Sequence, residues 1–212
     1  MTMDSYRSSI AVLTDPILIV LERLRISAGM VSALSLGCAG LAGIAYYLAG
    51  DNNIVLAPAL LFLFLNGLLD ALDGALARKT GTASKYGDFV DHVIDRYADV
   101  FMICGIFLGG FLSAELGALA LAGVLLASYL GTQAQAVGVG RIYGGVMGRA
   151  DRLIVMTLAT CLNLVYPVSF GIQGLQFPIL GWALLLIGIL SHVTAFQRIW
   201  HTRKALIGES KK

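Results

Sequence analysis

The amino-acid sequence predicts an all-α integral membrane protein with six transmembrane helices, preceded by a short interfacial amphipathic helix. Of the 212 residues, 58% are hydrophobic and only 13% are charged, a composition typical of polytopic membrane proteins. Five stretches contain no Asp, Glu, Lys or Arg: residues 26–50, 52–69, 100–114, 116–140 and 153–197. Because about 20 helical residues cross a bilayer, these stretches indicate several spans.

The boundaries of the spans follow from the lengths of these stretches. The longest holds two helices, with a break marked by the prolines and glycines between residues 167 and 178. The stretch 100–114 is short, so its span is extended back to about residue 87. The predicted spans are about 27–50, 53–78, 87–112, 115–137, 150–169 and 177–201. Residues 15–25 mix apolar and charged side chains at helical spacing and predict the interfacial helix; the whole chain, 1–212, is expected to form one domain.

The basic residues indicate the orientation. With six spans, all 15 Lys and Arg residues lie on the side that holds both termini and the loops 79–86 and 138–149. The positive-inside rule makes this side, and both termini, cytoplasmic, which is expected of a protein in the cell membrane. A net charge of only +2 does not indicate a nucleic-acid partner.

Four aspartates dominate the chemistry. Asp70 and Asp73 end the second span, and Asp91 and Asp95 open the third, so each pair lies on one face of its helix. Carboxylates at a membrane surface are costly unless cations neutralise them. Their oxygens suit Mg²⁺ or Mn²⁺, and a hard cation at a membrane suggests phosphate chemistry on a lipid.

Small and basic residues accompany the aspartates. Gly74 lies inside a helix at a cost of about 1 kcal/mol relative to Ala, which favours close approach of a ligand or helix; Ala77 and Gly87 extend the same opening. Arg78 stands at its mouth, where a guanidinium can bind a diphosphate in a bidentate manner.

The combined pattern resembles the signature of the CDP-alcohol phosphatidyltransferase family. Asp70-x2-Asp73-Gly74-x2-Ala77-Arg78-x8-Gly87-x3-Asp91-x3-Asp95 matches that signature without a gap. The resemblance implies an enzyme that moves a phosphatidyl-type phosphate from a CDP-linked lipid to a polar alcohol and releases CMP. The lipid carries either diacylglycerol or archaeol chains.

The resemblance also implies roles for individual residues. The four aspartates are expected to bind two metal ions, and Asp95 is also expected to be the general base. The residues expected to bind the CDP-lipid are Asp73, Gly74, Ala77, Arg78 and Gly87. Where many relatives have Pro-Asn-x-x-Thr, this chain has residues 28–32 as Ala-Gly-Met-Val-Ser, and Ser32 keeps a hydroxyl that is expected to contact the donor.

The acceptor alcohol is expected to bind outside the motif. Arg149 and Arg152 lie three residues apart and so share a helix face, where they suit the phosphate of inositol phosphate or glycerol phosphate; membrane anchoring is the alternative role. Thr132 and Gln135, at the unusually polar end of the fourth span, are the other acceptor candidates.

Two other functions fit parts of the pattern. The aspartates also suit an intramembrane Mg²⁺-dependent prenyltransferase, although such enzymes are usually longer and do not require the glycine and arginine of the motif. An ion-binding transporter is less favoured, because transport carboxylates usually lie near the middle of the bilayer. Small residues on the outer spans allow close helix packing, and the relatives of this family are often homodimers.

Overall fold

The computed structural model describes residues 15–172 and 174–209 and consists of long helices with one small hairpin. Residues 15–23 are helical and are called α1. The other elements are α2 (Ala28–Ala49), α3 (Leu56–Lys79) with a preceding 3-10 turn (Asn53–Val55), α4 (Lys85–Leu108), α5 (Ala114–Ala136), α6 (Arg149–Val165), β1 (Ser169–Ile172), β2 (Leu175–Pro178) and α7 (Ile179–Glu209). The expected interfacial helix at 15–25 is therefore helical to residue 23.

Four of these helices are long and apolar enough to cross a membrane: Ala28–Ala49, Asn53–Lys79, Ala114–Ala136 and Ile179–Gly208. The chain is thus an integral membrane protein with a helical fold. Helices α4 and α6 also lie where spans were predicted, but α4 carries the charged motif residues and α6 has only 17 residues.

Serine side chains cap the N-termini of three helices. The Ser27, Ser84 and Ser113 hydroxyls accept hydrogen bonds from backbone N–H groups in the first turns of α2, α4 and α5. Such caps satisfy donors that a helix leaves unpaired at its N-terminus. The cap at Ser84 places the start of α4, and hence the following aspartates, at a defined position.

Helix α2 packs against α3 and α4, and α5 packs against α7. Glycines bring α2 and α4 together: a Cβ on Gly105 would lie 2.8 Å from the Cα of Gly43. Farther along, the hydroxyls of Tyr46 and Thr160 lie 2.7 Å apart and join α2 to α6. This packing holds the helix ends that carry the aspartates.

The connection between α6 and α7 differs from the simple helical break that was expected. Strands β1 and β2 pair in antiparallel fashion, with Ser169 opposite Pro178 and Phe170 opposite Phe177. The Trp182 indole N–H donates to the Phe170 carbonyl, 3.1 Å away. The hairpin follows the C-terminus of α6, the end opposite to the one that starts beside the aspartates.

Candidate active site

The four motif aspartates meet at one end of the helix bundle. Asp70 and Asp73 lie in the last three turns of α3, and Asp91 and Asp95 in the first three turns of α4. One carboxylate oxygen from each of Asp70, Asp73 and Asp91 lies within 4.8 Å of the others. Asp95, one turn deeper on α4, approaches Asp91 and His92 within the same distance.

Polar contacts with α2 hold the acidic end of α3 in place. The Ser32 hydroxyl donates to Asp73 Oδ2 at 2.5 Å. Two turns before Asp73, the buried Asn66 amide donates to the Ser35 carbonyl at 3.0 Å and lies 2.9 Å from the Ser35 hydroxyl. Because these contacts join α2 and α3 at two levels, they set the rotation of α3 and the direction of its carboxylates.

The carboxylate oxygens of this cluster suit a hard divalent cation as ligands. Asp70, Asp73 and Asp91 offer only oxygen atoms, and their 4.8 Å grouping is compact enough for one ion to reach all three. Oxygen ligands favour Mg²⁺ or Mn²⁺ over softer metals. Asp73 is only 6% exposed, so its charge needs a nearby cation.

A cation from α6 also contacts this cluster. Helix α6 begins beside the aspartates, where the Gly148 N–H donates to Asp151 Oδ2 at 2.8 Å. The first residue of the helix, Arg149, places its Nη1 2.6 Å from Asp70 Oδ2 and 2.7 Å from Asp95 Oδ1. Arg149, predicted as an acceptor ligand, therefore bridges the two helices that carry the motif.

Two further arginines, Arg96 and Arg152, contact buried carboxylates next to this cluster. Arg152 is only 4% exposed, and its Nη2 donates to Asp99 Oδ2 at 2.8 Å. Arg96 Nη2 lies 3.4 Å from Asp95 Oδ2 and 3.7 Å from Asp99 Oδ2. Within the described residues, four buried arginine nitrogens have no hydrogen-bond partner: Arg96 Nε, Arg149 Nε, Arg149 Nη2 and Arg152 Nε.

A cavity of about 970 Å³ opens in front of the α3 aspartates. It brings together all six residues predicted to bind the CDP-lipid: Ser32, Asp73, Gly74, Ala77, Arg78 and Gly87. A Cβ on Gly74 would lie 3.3 Å from Arg78 Nη1, so the glycine leaves room for the arginine. Asp70 and Asp91 also line the cavity, whereas Asp95 is 8% exposed and lies behind them.

Helix α1 forms one wall of this cavity. Leu18 is buried with the α2 and α3 residues Val31, Leu72 and Leu76. The Glu22 carboxylate lies 3.4 Å from Lys79 Nζ. The wall includes Glu22 and Arg25, two residues that the sequence pattern did not single out.

The remaining predicted residues lie elsewhere. Thr132 and Gln135 are exposed and do not line the cavity; the Thr132 hydroxyl donates to the Tyr129 carbonyl. Conversely, sequence reasoning missed His92, whose ring contacts the Arg141 guanidinium and lies 3.3 Å from Asp88. The spacing of Asp88 and His92, one helical turn, was the available signal.

Comparison with known proteins identifies the group to which this site belongs. The family model for CDP-alcohol phosphatidyltransferase matches residues 25–200. The chain belongs to this family. It is accordingly a membrane-bound phosphotransferase of phospholipid biosynthesis, and the family recognised from the aspartate motif is confirmed.

Two of the proteins that this chain resembles are archaetidylinositol phosphate synthases. The archaetidylinositol phosphate synthase of Pyrococcus horikoshii is 36% identical over 166 residues, which are 78% of each chain. The enzyme of the same name from Methanothermobacter thermautotrophicus is 28% identical over 208 residues, 95% of this chain and 96% of that one. The match therefore extends beyond the motif to nearly the whole sequence.

A solved structure has the same fold. The phosphatidylinositol phosphate synthase of Mycobacterium tuberculosis, in complex with manganese and citrate, gives a TM-score of 0.74 at 25% identity and covers 89% of this chain and 88% of that chain. The same enzyme with CDP-DAG bound also gives a TM-score of 0.74, at 24% identity. The helical membrane architecture of this CDP-alcohol phosphatidyltransferase is thereby supported by an experimental fold.

Proposed function

We propose that this enzyme transfers a phosphatidyl-type phosphate, carried on diacylglycerol or archaeol, from a CDP-linked lipid to a phosphorylated polyol and releases CMP. Inositol phosphate is the favoured acceptor, and glycerol phosphate is the second candidate. The observation that carries the proposal is the meeting of Asp70, Asp73 and Asp91 beside a cavity lined by Arg78. The similarity to two archaetidylinositol phosphate synthases supports the choice of inositol phosphate as the acceptor.

The cavity is suited to the CDP part of the donor. Arg78 supplies a planar cation for phosphate oxygens, while Gly74, Ala77 and Gly87 leave space for the nucleotide because none has a long side chain. Ser32 fixes Asp73 through its 2.5 Å hydrogen bond. Its role is thus to orient a donor-site carboxylate.

Two Mg²⁺ or Mn²⁺ ions are proposed to be held by Asp70, Asp73, Asp91 and Asp95. Such ions neutralise the negative charge that builds on a leaving phosphate. The compact oxygen set supports this assignment, as does the manganese in the related structure. In the prenyltransferase alternative, Asn66, four residues before Asp70, would extend the aspartate pattern by one helical turn, but its amide is buried in contacts with Ser35.

Asp95 is proposed to accept the proton of the attacking hydroxyl. It lies between the cavity-lining aspartates and the arginine cluster of α4 and α6, in contact with Arg149 and Arg96. A carboxylate at this boundary can deprotonate an alcohol that arrives from the arginine side. The alcohol oxygen then attacks the lipid-linked phosphorus, and the bond to the CMP oxygen breaks.

The acceptor phosphate is proposed to bind at Arg149 and Arg152, with Arg96 beside them. The four partnerless buried nitrogens of these arginines support this role, because buried donors are normally satisfied and a phosphate offers several acceptors. Thr132 and Gln135 have no comparable support, since both are exposed.

The finer membrane arrangement is also proposed. Six spans would place every basic residue, the aspartates and both termini on the cytoplasmic side of the cell membrane. The six helices α2 to α7, which follow one another in the order of the six predicted spans, support this topology. A homodimer is proposed from the family resemblance; the small residues Gly105 and Gly109 do not add to this proposal, because they pack against α2 of the same chain.

A direct assay tests the proposed reaction. Purified enzyme is given CDP-archaeol or CDP-diacylglycerol with inositol phosphate, glycerol phosphate, inositol or glycerol, and released CMP is measured with Asp95→Asn as the matched inactive control. We expect CMP only with a phosphorylated acceptor, and most with inositol phosphate. Equal turnover with unphosphorylated inositol would contradict the arginine site, and no CMP with any acceptor would contradict the proposed reaction.

A further inference from the structure

The C-terminus of α1 has an unusual residue at its turn. The Arg25 N–H donates to the Glu22 carbonyl and the Ile26 N–H to the Leu21 carbonyl, each at 3.0 Å. These two bonds form a Schellman motif in which Arg25 occupies the left-handed position, with φ of 55°. Among the described residues, it is the only non-glycine residue with a positive φ.

Glycine is the usual residue at this position, because a Cβ crowds the backbone in the left-handed conformation. Arginine lacks the short polar side chain that lets Asn or Asp compensate locally. Arginine at this position therefore lowers the stability of the fold relative to glycine. Backbone strain at a single position is a reason to look for a function of the side chain there.

The surroundings of Arg25 suggest that function. Arg25 lines the cavity of about 970 Å³ together with Arg78 and the carboxylates of Asp70 and Asp73. In the part of the chain that the structure describes, Arg25 forms no ion pair, whereas the nearby Glu22 is paired with Lys79. Arg25 is thus a cation without a counter-ion on the cavity wall contributed by α1.

We propose that Arg25 binds the diphosphate of the nucleotide-linked lipid from the α1 side of the cavity. Its guanidinium donates to phosphate oxygens across from the motif arginine, Arg78, so that the donor is held by cations from two separate elements. The inference rests on the proposed function, because that function supplies the diphosphate. It adds a donor-binding residue that the aspartate motif does not contain.

The test uses variants that separate binding from backbone strain. Arg25→Gly removes the guanidinium and relieves the strained φ, and Arg25→Asn removes it while keeping a residue that tolerates this conformation. We expect both to raise the KM for CDP-lipid about tenfold or more, as loss of a charge-assisted hydrogen bond would, with the acceptor KM unchanged. The melting temperature of Arg25→Gly should be equal to or above that of the wild type.

The matched control is Arg23→Ala. Arg23, the last residue of α1, is a basic residue that does not line the cavity, so both KM values should stay unchanged. Binding of CDP in the presence of Mn²⁺, measured by calorimetry in an uncharged detergent, distinguishes the donor diphosphate from bulk anionic lipid. Tenfold weaker CDP binding in Arg25→Gly supports the proposal. Unchanged CDP binding, or an effect seen only in anionic vesicles, overturns it, while absence of CDP binding and turnover in the wild type would instead refute the proposed function.

Discussion

At the scale of single residues, the site depends on carboxylates and arginines that contact one another at hydrogen-bond distance. Asp95 is the residue with the most demanding role, since it contacts Arg149 at 2.7 Å and Arg96 at 3.4 Å and also approaches Asp91. Burial of Asp95, which is only 8% exposed, opposes the charged form of its carboxylate, whereas its two arginine partners favour that form. A charged carboxylate is the form that a general base requires.

Replacing Asp95 with Asn should abolish turnover while largely preserving donor binding. The amide keeps the shape of the side chain but cannot accept the proton of the alcohol. The measurements are CMP release and CDP binding by calorimetry. As a comparison, Asp70→Asn should weaken both metal and nucleotide binding, because Asp70 lines the cavity; near-normal CMP release by Asp95→Asn would remove Asp95 as the base.

Arg149→Ala should raise the KM for the acceptor phosphate roughly ten- to a hundredfold, from loss of a charge-assisted contact of ~1.5–3 kcal/mol. The KM for CDP-lipid should change little. The exposed Lys204→Ala is the charge-matched control and should change neither value. If both KM values rise together in Arg149→Ala, its contacts with Asp70 and Asp95 are structural, and the acceptor site must be sought elsewhere.

Arg152 requires a separate measurement. Its pair with Asp99 is buried on both sides, so Arg152→Ala leaves this carboxylate with only the longer contact to Arg96, 3.7 Å away, at a cost below the roughly 3–5 kcal/mol of a buried charge that loses its whole partner. We therefore expect a lower melting temperature together with the raised acceptor KM. A raised KM at an unchanged melting temperature would show that Asp99 does not depend on this partner.

At the scale of elements, the close approach of α2 and α4 fixes where the two aspartate-bearing helices meet. Gly105 of α4 faces Gly43 of α2 so closely that any side chain would meet backbone atoms. Backbone atoms cannot rotate away as a flexible side chain can, so added volume has to separate the helices. This contact is the small-residue packing expected inside membrane proteins.

Gly105→Ala should destabilise the fold by about 1–3 kcal/mol, because the added methyl group meets the Gly43 backbone. The measurement is the melting temperature of the detergent-solubilised protein. Gly37→Ala in α2 is the matched control, since a Cβ there has nothing within 4 Å, and it should be neutral or stabilising. Equal melting temperatures for the two variants would mean that α2 and α4 are less tightly packed than the structure indicates.

At the scale of the whole molecule, three helices cooperate in one site. Helix α3 brings Asp70 and Asp73, α4 brings Asp91 and Asp95, and α6 brings Arg149 between them. Because the donor cavity is closed by α1 and α2 as well, ligands that bind here connect most of the bundle. Ligand binding should therefore stabilise the protein as a whole.

Divalent cations should be essential for activity and should raise the melting temperature. Mg²⁺ and Mn²⁺ are expected to support CMP release, because the donors are oxygen atoms, and excess EDTA should abolish it. At a concentration of 100 Kd the linkage stabilises by about 2.7 kcal/mol. Asp70→Asn serves as the control, in which the Mn²⁺-induced shift should shrink; full CMP release in EDTA would refute the metal site.

Much of this site could be predicted because its parts are close in sequence. The spacing of Asp70 with Asp73, and of Asp91 with Asp95, is set by helical geometry alone, and the family that this spacing indicated is confirmed. His92 was missed although it follows Asp91 directly, because a lone histidine at a helix start has many possible roles. Arg25 was missed because its left-handed conformation depends on where α1 ends.

The amino-acid sequence by itself determined the helical membrane class, the two aspartate pairs and the family, since hydrophobic length and helical spacing are local properties of the chain. Only the tertiary structure decided which cations meet those aspartates. Arg149 contacts Asp70 across 79 positions of sequence, and Arg152 contacts Asp99 across 53. Such pairings follow from how the helices pack, and packing depends on side-chain volumes and close approaches over the whole bundle, which no local pattern specifies.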